Sequence, residues 1–129
     1  MRVVIVDDEA PARERLRHLL AGSDPNIEIV AEAADGDEAI MCVDSLAPDL
    51  VFLDIQMPAC TGLDVAARIR APKPRIVFCT AYDQFAIDAF ELHAVDYLLK
   101  PVNRERLSRT VTRLAAQIAD ERRHARDLR

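Results

Sequence analysis

Two apolar runs in this 129-residue chain end on carboxylates: "VVIV" stops at Asp7, Asp8 and Glu9, and "LVFL" stops at Asp54. A third run, "RIVFC", stops at the hydroxyl of Thr80, and "DYLL" stops at Lys100. Carboxylates brought within a few ångströms of one another cannot all stay ionised without a counter-charge. A hard divalent cation provides it, and Mg²⁺ prefers one or two carboxylates together with water and phosphate oxygens. A hydroxyl and an ammonium beside such a cluster would complement phosphoryl oxygens, the hydroxyl by hydrogen bonding and the lysine as a point charge. Singly, "DDE" also fits a solvated loop, Thr80 a strand-end cap and Lys100 a surface charge. Their arrival in order at the ends of successive apolar runs argues for one site. The Lys100–Pro101 bond can be cis at modest cost, and Pro101 would then fix the turn that aims the lysine.

Such a site needs elements that bring these ends together. A short unbroken run of β-branched residues fits a strand of a parallel sheet that is covered on both faces. Between the runs lie helical patterns. In "APARERLRHLLAG" Leu16, Leu19 and Leu20 recur at helical spacing, and Gly22 is read as the stop. "IEIVAEA" reads as a strand and "GDEAIMCVDSLA" as a helix with Ala39, Ile40 and Val43 on one face. "DLVFLDIQMP" is a strand broken by Pro58, "TGLDVAARIR" a helix, "RIVFCTA" a strand, "QFAIDAFELHA" a short helix and "DYLLKP" a strand. From Arg104 onward, Leu107, Val111, Leu114 and Ile118 mark one long amphipathic helix. This alternation predicts an α/β fold, a doubly wound five-stranded parallel sheet with helices on both faces. In such sheets ligands bind outside the carboxyl ends of the strands, which is where Asp7, Asp8 and Asp54 would converge.

Composition restricts the function classes. At this length, with 50% hydrophobic residues, the chain suits one domain burying roughly two-thirds of its unfolded surface. No stretch approaches the roughly 20 apolar residues of a membrane span, and there is no signal-peptide pattern, so a cytoplasmic location is expected. Cys42, Cys60 and Cys79 are widely spaced and odd in number, which indicates reduced thiols rather than a disulfide framework or zinc site. The net charge of −5 is uneven: from Asn103 on, eight Arg face four acidic residues, while the preceding residues carry nine basic and eighteen acidic groups. An acidic body is an unlikely direct partner for nucleic acid. The Arg-rich tail is expected to form a solvated helix face. His18, His93 and His124 each fall on a predicted helix without a second His nearby, and none is expected to transfer phosphate or bind metal.

The set "VDDE", "FLDIQMP", "CTA" and "DYLLKP", in this order and at these separations, resembles the receiver domain of two-component response regulators, over nearly the whole chain. The resemblance implies a flavodoxin-like receiver topology. It implies Asp54 as phosphoacceptor, Mg²⁺ held by Asp7, Asp8, Asp54 and the backbone carbonyl of Gln56, and phosphoryl binding by Thr80 and Lys100. Tyr97 would be the aromatic whose ring changes position together with Thr80 on activation. Glu9 would stand behind the metal ligands or cap the following helix. The implied partners are a histidine kinase as donor and, on phosphorylation, a second receiver, with the face of the fourth helix, fifth strand and last helix as the switch surface. Such a domain is a signalling module rather than an enzyme, although it assists its own phosphorylation and slow dephosphorylation.

"TAYDQFAIDAFELHAVDYLLKP" narrows the resemblance to the LytR/AlgR group, whose receivers are attached to LytTR-type DNA-binding domains. On that reading residues 1–120 are the receiver, and residues 121–129 end the last helix as it runs into a linker to an output domain outside this chain. A stand-alone receiver acting in a phosphorelay is the alternative. A haloacid-dehalogenase-type phosphatase would want D-x-D at the nucleophile strand, where this chain has Asp54-Ile55-Gln56. A flavodoxin-like binding module would want a hydroxyl-rich loop after the first strand, where this chain has acids.

Overall fold

The computed structural model describes residues 1–70 and 72–128. Five strands, β1 (Arg2–Val6), β2 (Glu28–Ala33), β3 (Leu50–Leu53), β4 (Arg75–Thr80) and β5 (Asp96–Leu99), alternate with α1 (Ala10–Ala21), α2 (Gly36–Leu46), α3 (Gly62–Arg68), α4 (Ala86–Glu91) and α5 (Arg104–Asp127). The strands form one parallel sheet in the order β2-β1-β3-β4-β5. The expected doubly wound α/β fold is present.

The unbroken apolar strands are explained by two cores. Successive side chains of a strand point to opposite faces. Val3, Ile5, Leu50, Phe52, Val77, Cys79 and Leu98 pack with α1 and α5 residues such as Leu16, Leu20, Leu107 and Leu114. Their neighbours Val4, Val6, Val51, Leu53, Ile76 and Phe78 pack on the other face with Ala39, Val43, Val65 and Ala89 from α2, α3 and α4. No position of the central strands is free to be polar until the strand ends. The sequence order reverses between β1 and β3, which are neighbours in the sheet, and the crevice of such a fold opens there.

Several boundaries differ from the sequence reading. β3 ends at Leu53, well before Pro58, because the chain turns back there: the Gly62 amide donates to the Ile55 carbonyl at 2.9 Å. A Cβ on Gly62 would stand 2.1 Å from the Asp54 carbonyl oxygen, so this close approach requires glycine. The fourth helix covers only Ala86–Glu91, and His93, at φ 62°, lies in the left-handed turn after it. Gly22 ends α1 at φ −89°, an ordinary right-handed conformation. α3 stops at Arg68, since Ile69 is extended and buried. Asn103 caps α5 by accepting from the Arg106 amide at 3.1 Å.

The Arg-rich helix is less free than expected. Arg122 donates to Asp49 at 2.8 Å, and Glu121 pairs with Arg75, which ties the last turns of α5 to the amino ends of β3 and β4. Nearer its start, Arg106 and Arg113 reach Asp96 at 2.5 and 3.0 Å, and the Thr110 hydroxyl donates to the same carboxylate at 2.6 Å. A pattern of helical charges gives no sign of partners that lie on strands far away in sequence.

Gly62→Ala is expected to lower the urea midpoint clearly, and an unchanged midpoint would show that the β3–α3 turn has room for a methyl. For Asp96, burial alone would raise the pKa. Hydrogen bonds from Arg106, Thr110 and the Tyr97 amide outweigh it and hold the group at about 2. An unfolded Asp titrates near about 3.9. The depressed value belongs to the folded state, so the stabilisation is complete above the unfolded value and is lost as pH falls towards about 2. Asp96→Asn is expected to cost about 1–2 kcal/mol at pH 7, with the partners' exposure screening the rest, and to flatten the acid limb of stability. Urea unfolding across a pH series measures both.

Candidate functional site

Strand register builds the site. Val6 pairs with Leu53, so the next residues, Asp7 and Asp54, stand side by side at the carboxyl edge. The Asp54 amide donates to the Val6 carbonyl at 3.0 Å and the Asp7 amide to the Ala33 carbonyl at 3.0 Å, which continues the ladder one step past the ends of β3 and β1. On the other side Thr80 pairs with Leu99, and the Lys100 amide donates to the Thr80 carbonyl at 2.8 Å. The sheet thus gathers Asp7, Asp8, Asp54, Thr80 and Lys100 at one end.

Lys100 closes the group. Its Nζ donates to Asp7 Oδ2 at 2.7 Å and lies 3.3 Å from Asp54 Oδ2. Both carboxylates are buried, at 5% and 3% exposure, whereas Asp8 is exposed. Ligand oxygens from Asp7, Asp8 and Asp54 lie within 4.8 Å of one another. Burial pushes the Asp54 carboxyl above its ordinary value, Lys100 opposes the rise and the Asp7 charge adds to it. For Lys100 burial disfavours the ammonium, but the hydrogen bond to Asp7 and the charges of Asp54 and Asp7 prevail and raise its pKa. One ammonium therefore serves two buried carboxylates and leaves a third outside. A set of three hard oxygen ligands with a net negative charge fits Mg²⁺, which selects carboxylate and water oxygens.

The remaining candidates surround this centre. The Gln56 amide donates to Asp54 Oδ1 at 3.3 Å, and its side chain is exposed. Thr80 is fully buried, and its hydroxyl accepts from the Tyr82 amide at 3.3 Å. Tyr97 stands apart: its ring packs against the core on the α2, α3 and α4 side, and its hydroxyl donates to the Tyr82 carbonyl. Thr80 and Tyr97 thus hold the same residue of the β4–α4 loop. The Lys100–Pro101 peptide is cis. Glu9 occupies the cap position of α1 but makes no side-chain cap; its amide instead donates to Asp7 Oδ1 at 2.9 Å. His18 and His93 are exposed, as is His124 at the end of α5. The cysteines are free thiols, Cys79 buried and the other two partly buried.

Sequence reading missed Arg13. From the first turns of α1 its guanidinium donates to the Asp7 carbonyl at 2.7 Å. Nothing in the helical pattern distinguishes it from Arg15 or Arg17.

A model of the response regulator receiver domain matches residues 3–112. The transcriptional regulatory protein BtsR of Salmonella typhi is 54% identical over 115 residues, covering 88% of this chain and 48% of that protein. The positive alginate biosynthesis regulatory protein of Pseudomonas aeruginosa is 50% identical over 110 residues, 84% of this chain and 44% of that protein. The chain spans about half the length of the curated relatives it matches. Among solved structures, the response regulatory domain of protein mrkE from Klebsiella pneumoniae superposes with a TM-score of 0.85 at 37% identity, covering 91% of this chain and 97% of that one.

The shared ammonium yields a prediction. Lys100→Ala leaves two buried carboxylates without their counter-charge, so it is expected to cost about 2–3 kcal/mol in metal-free buffer. Millimolar Mg²⁺ is expected to restore part of the loss. Unfolding curves with and without the cation test this, and equal loss in both would show that the carboxylates do not share a cation site.

Proposed function

The chain belongs to the response regulator receiver domain family, of the LytR/AlgR type, and from that premise we propose that Asp54 accepts a phosphoryl group from a histidine kinase. Mg²⁺ would be held by Asp7, Asp8, Asp54 and the backbone carbonyl of Gln56. The observation that carries the reading is the arrangement of three convergent carboxylates around one lysine, with Asp54 the most deeply buried of the three and within 3.3 Å of the ammonium.

A carboxylate is a weak nucleophile toward a dianionic phosphoryl group, so positioning and charge neutralisation must supply the rate. An oxygen of Asp54 forms the new bond to phosphorus while the bond from phosphorus to the kinase imidazole nitrogen breaks, and the imidazole leaves with the electron pair. When bound, Mg²⁺ would neutralise charge shared between the carboxylates and the phosphoryl oxygens. Lys100, already between Asp7 and Asp54, would turn one of its donors to a phosphoryl oxygen. The Thr80 hydroxyl would do the same after leaving the Tyr82 amide. The product is an acyl phosphate, reactive enough to be transient, and the domain would assist both its formation and its slow loss.

The partner readings rest on the surface. An apolar cleft of about 310 Å³ beside Lys100, lined by Pro11, Ala12, Leu16, Pro101 and Val102, suits docking of a donor protein. Release of the Tyr82 backbone by Thr80 and Tyr97 would reshape the β4–α4 loop and so the face of α4, β5 and α5. There Ile87, Phe90 and Leu99 are 75%, 80% and 50% exposed, which favours a receiver homodimer on phosphorylation. The homology to transcriptional regulators of about twice this length supports a LytTR-type DNA-binding output domain beyond a receiver of residues 1–120, with residues 121–129 leading toward it. This domain, with its acidic body, would not itself bind nucleic acid. Among the described residues no helix is long and apolar enough to cross a membrane. The proposed kinase partner and transcriptional output would act in the cytoplasm.

Acetyl phosphate with Mg²⁺ tests the assignment. The parent is expected to gain one hydroxylamine-sensitive phosphoryl group, visible by intact mass, and Asp54→Asn is expected to gain none while keeping its fold. Label retained in Asp54→Asn and mapped to Asp7 or Asp8 would overturn the choice of acceptor.

A further inference from the structure

We propose that Arg13 is a positioning residue for the cation site, acting through the peptide that carries Asp8; the inference rests on the reading of Asp7, Asp8 and Asp54 as Mg²⁺ ligands. Every polar group of Asp7 is engaged. Its amide donates to the Ala33 carbonyl, Oδ1 accepts from the Glu9 amide, Oδ2 accepts from Lys100, and the carbonyl accepts from Arg13 Nη1 at 2.7 Å. That carbonyl belongs to the Asp7–Asp8 peptide, so the Arg13 bond sets the plane from which the Asp8 side chain departs. The Asp8 carboxylate is exposed and makes no hydrogen bond or ion pair among the described residues. Its direction is governed by its backbone.

Arg13 is itself held from behind. Its Nε lies 3.6 Å from Glu32 Oε1 on β2, and Arg17 Nη1 lies 2.5 Å from the other oxygen of Glu32. The Arg13 side chain is only 21% exposed, which limits the freedom of the guanidinium. A planar fork with several fixed donors can serve a carbonyl and a carboxylate at once, which an ammonium on a flexible stem does less well. The chain of contacts runs from β2 through Arg13 to the peptide before Asp8.

Geometry and charge make opposite forecasts. As a bare positive charge near the cluster, Arg13 would repel a cation, and its removal would tighten Mg²⁺ binding. As a positioning group, its removal lets the Asp8 peptide rotate and weakens binding; partners that orient metal ligands are typically worth 10-fold or more in affinity. Mg²⁺ titration followed by amide chemical shifts, with phosphodonor absent, separates the two. Arg13→Ala is expected to weaken binding about tenfold, with the ratio to the parent unchanged in high salt, which screens charge but not a hydrogen bond. Arg13→Lys keeps the charge and is expected to fall between parent and Arg13→Ala, and it carries the test if the alanine variant does not fold. Binding that is unchanged or tighter in Arg13→Ala, or equal to the parent in Arg13→Lys, would overturn the inference and leave the cation site standing. Absence of any Mg²⁺-dependent shift at Asp7, Asp8 and Asp54 in the parent would overturn the cation reading, and this inference with it.

Discussion

One ammonium between two buried carboxylates is the interaction on which the rest depends. Lys100 comes from the last strand, Asp7 from the first and Asp54 from the third, and they meet because the sheet places β3 and β4 between β1 and β5. A buried charge is expensive unless paired and hydrogen-bonded. Each of the three supplies what the others lack. The pairing is incomplete, since the cluster carries more negative charge than Lys100 cancels, and that residual charge favours a cation.

The two-sided core makes this tension tolerable. Strands that are apolar on both faces leave their polar groups only at the ends, where the backbone ladder still holds the chain. Asp7 and Asp54 are therefore held by backbone hydrogen bonds although they lie just beyond the ends of β1 and β3. The turn after Asp54 is held as tightly by Gly62, whose backbone lies against the Asp54 carbonyl. By contrast, the β4–α4 loop leads into a helix of six residues whose apolar side chains Ile87 and Phe90 face solvent. Backbone-held carboxylates beside a face of exposed apolar side chains suit a domain in which local chemistry has to be read at a distance. Coupling of that kind needs two discrete arrangements whose balance an event at the site biases.

Away from the site, α5 is bound to the sheet at both ends by charge. Asp96 collects Arg106, Thr110 and Arg113 near its start, and Asp49 and Arg75 engage Arg122 and Glu121 near its end. Exposed pairs contribute little singly. The Asp96 group is the more buried and more fully hydrogen-bonded of the two, and it lies on the strand that leads to Lys100. Packing of α5 and placement of the lysine are thus linked through β5.

Much of this was legible in the residues themselves. Apolar runs ending on Asp7, Asp54, Thr80 and Lys100 specify buried parallel strands, because a strand covered on both faces has no other place for polar side chains. The spacing of Leu107, Val111, Leu114 and Ile118 likewise specifies α5. Local periodicity said less about where elements stop: the Gly62 turn, the left-handed His93 and the short α4 depend on contacts across the chain. The long-range ion pairs were illegible for the same reason. Arg13 looks like any other helical arginine until the fold sets Glu32 behind it and the Asp7 carbonyl in front, and Arg106 looks solvated until β5 brings Asp96 beneath it. Sequence by itself determined which groups must gather at the strand ends, through the cost of burying them anywhere else. Tertiary structure decided which cation reaches which oxygen, because hydrogen bonds act over about 3 Å and only the packed sheet sets distances on that scale.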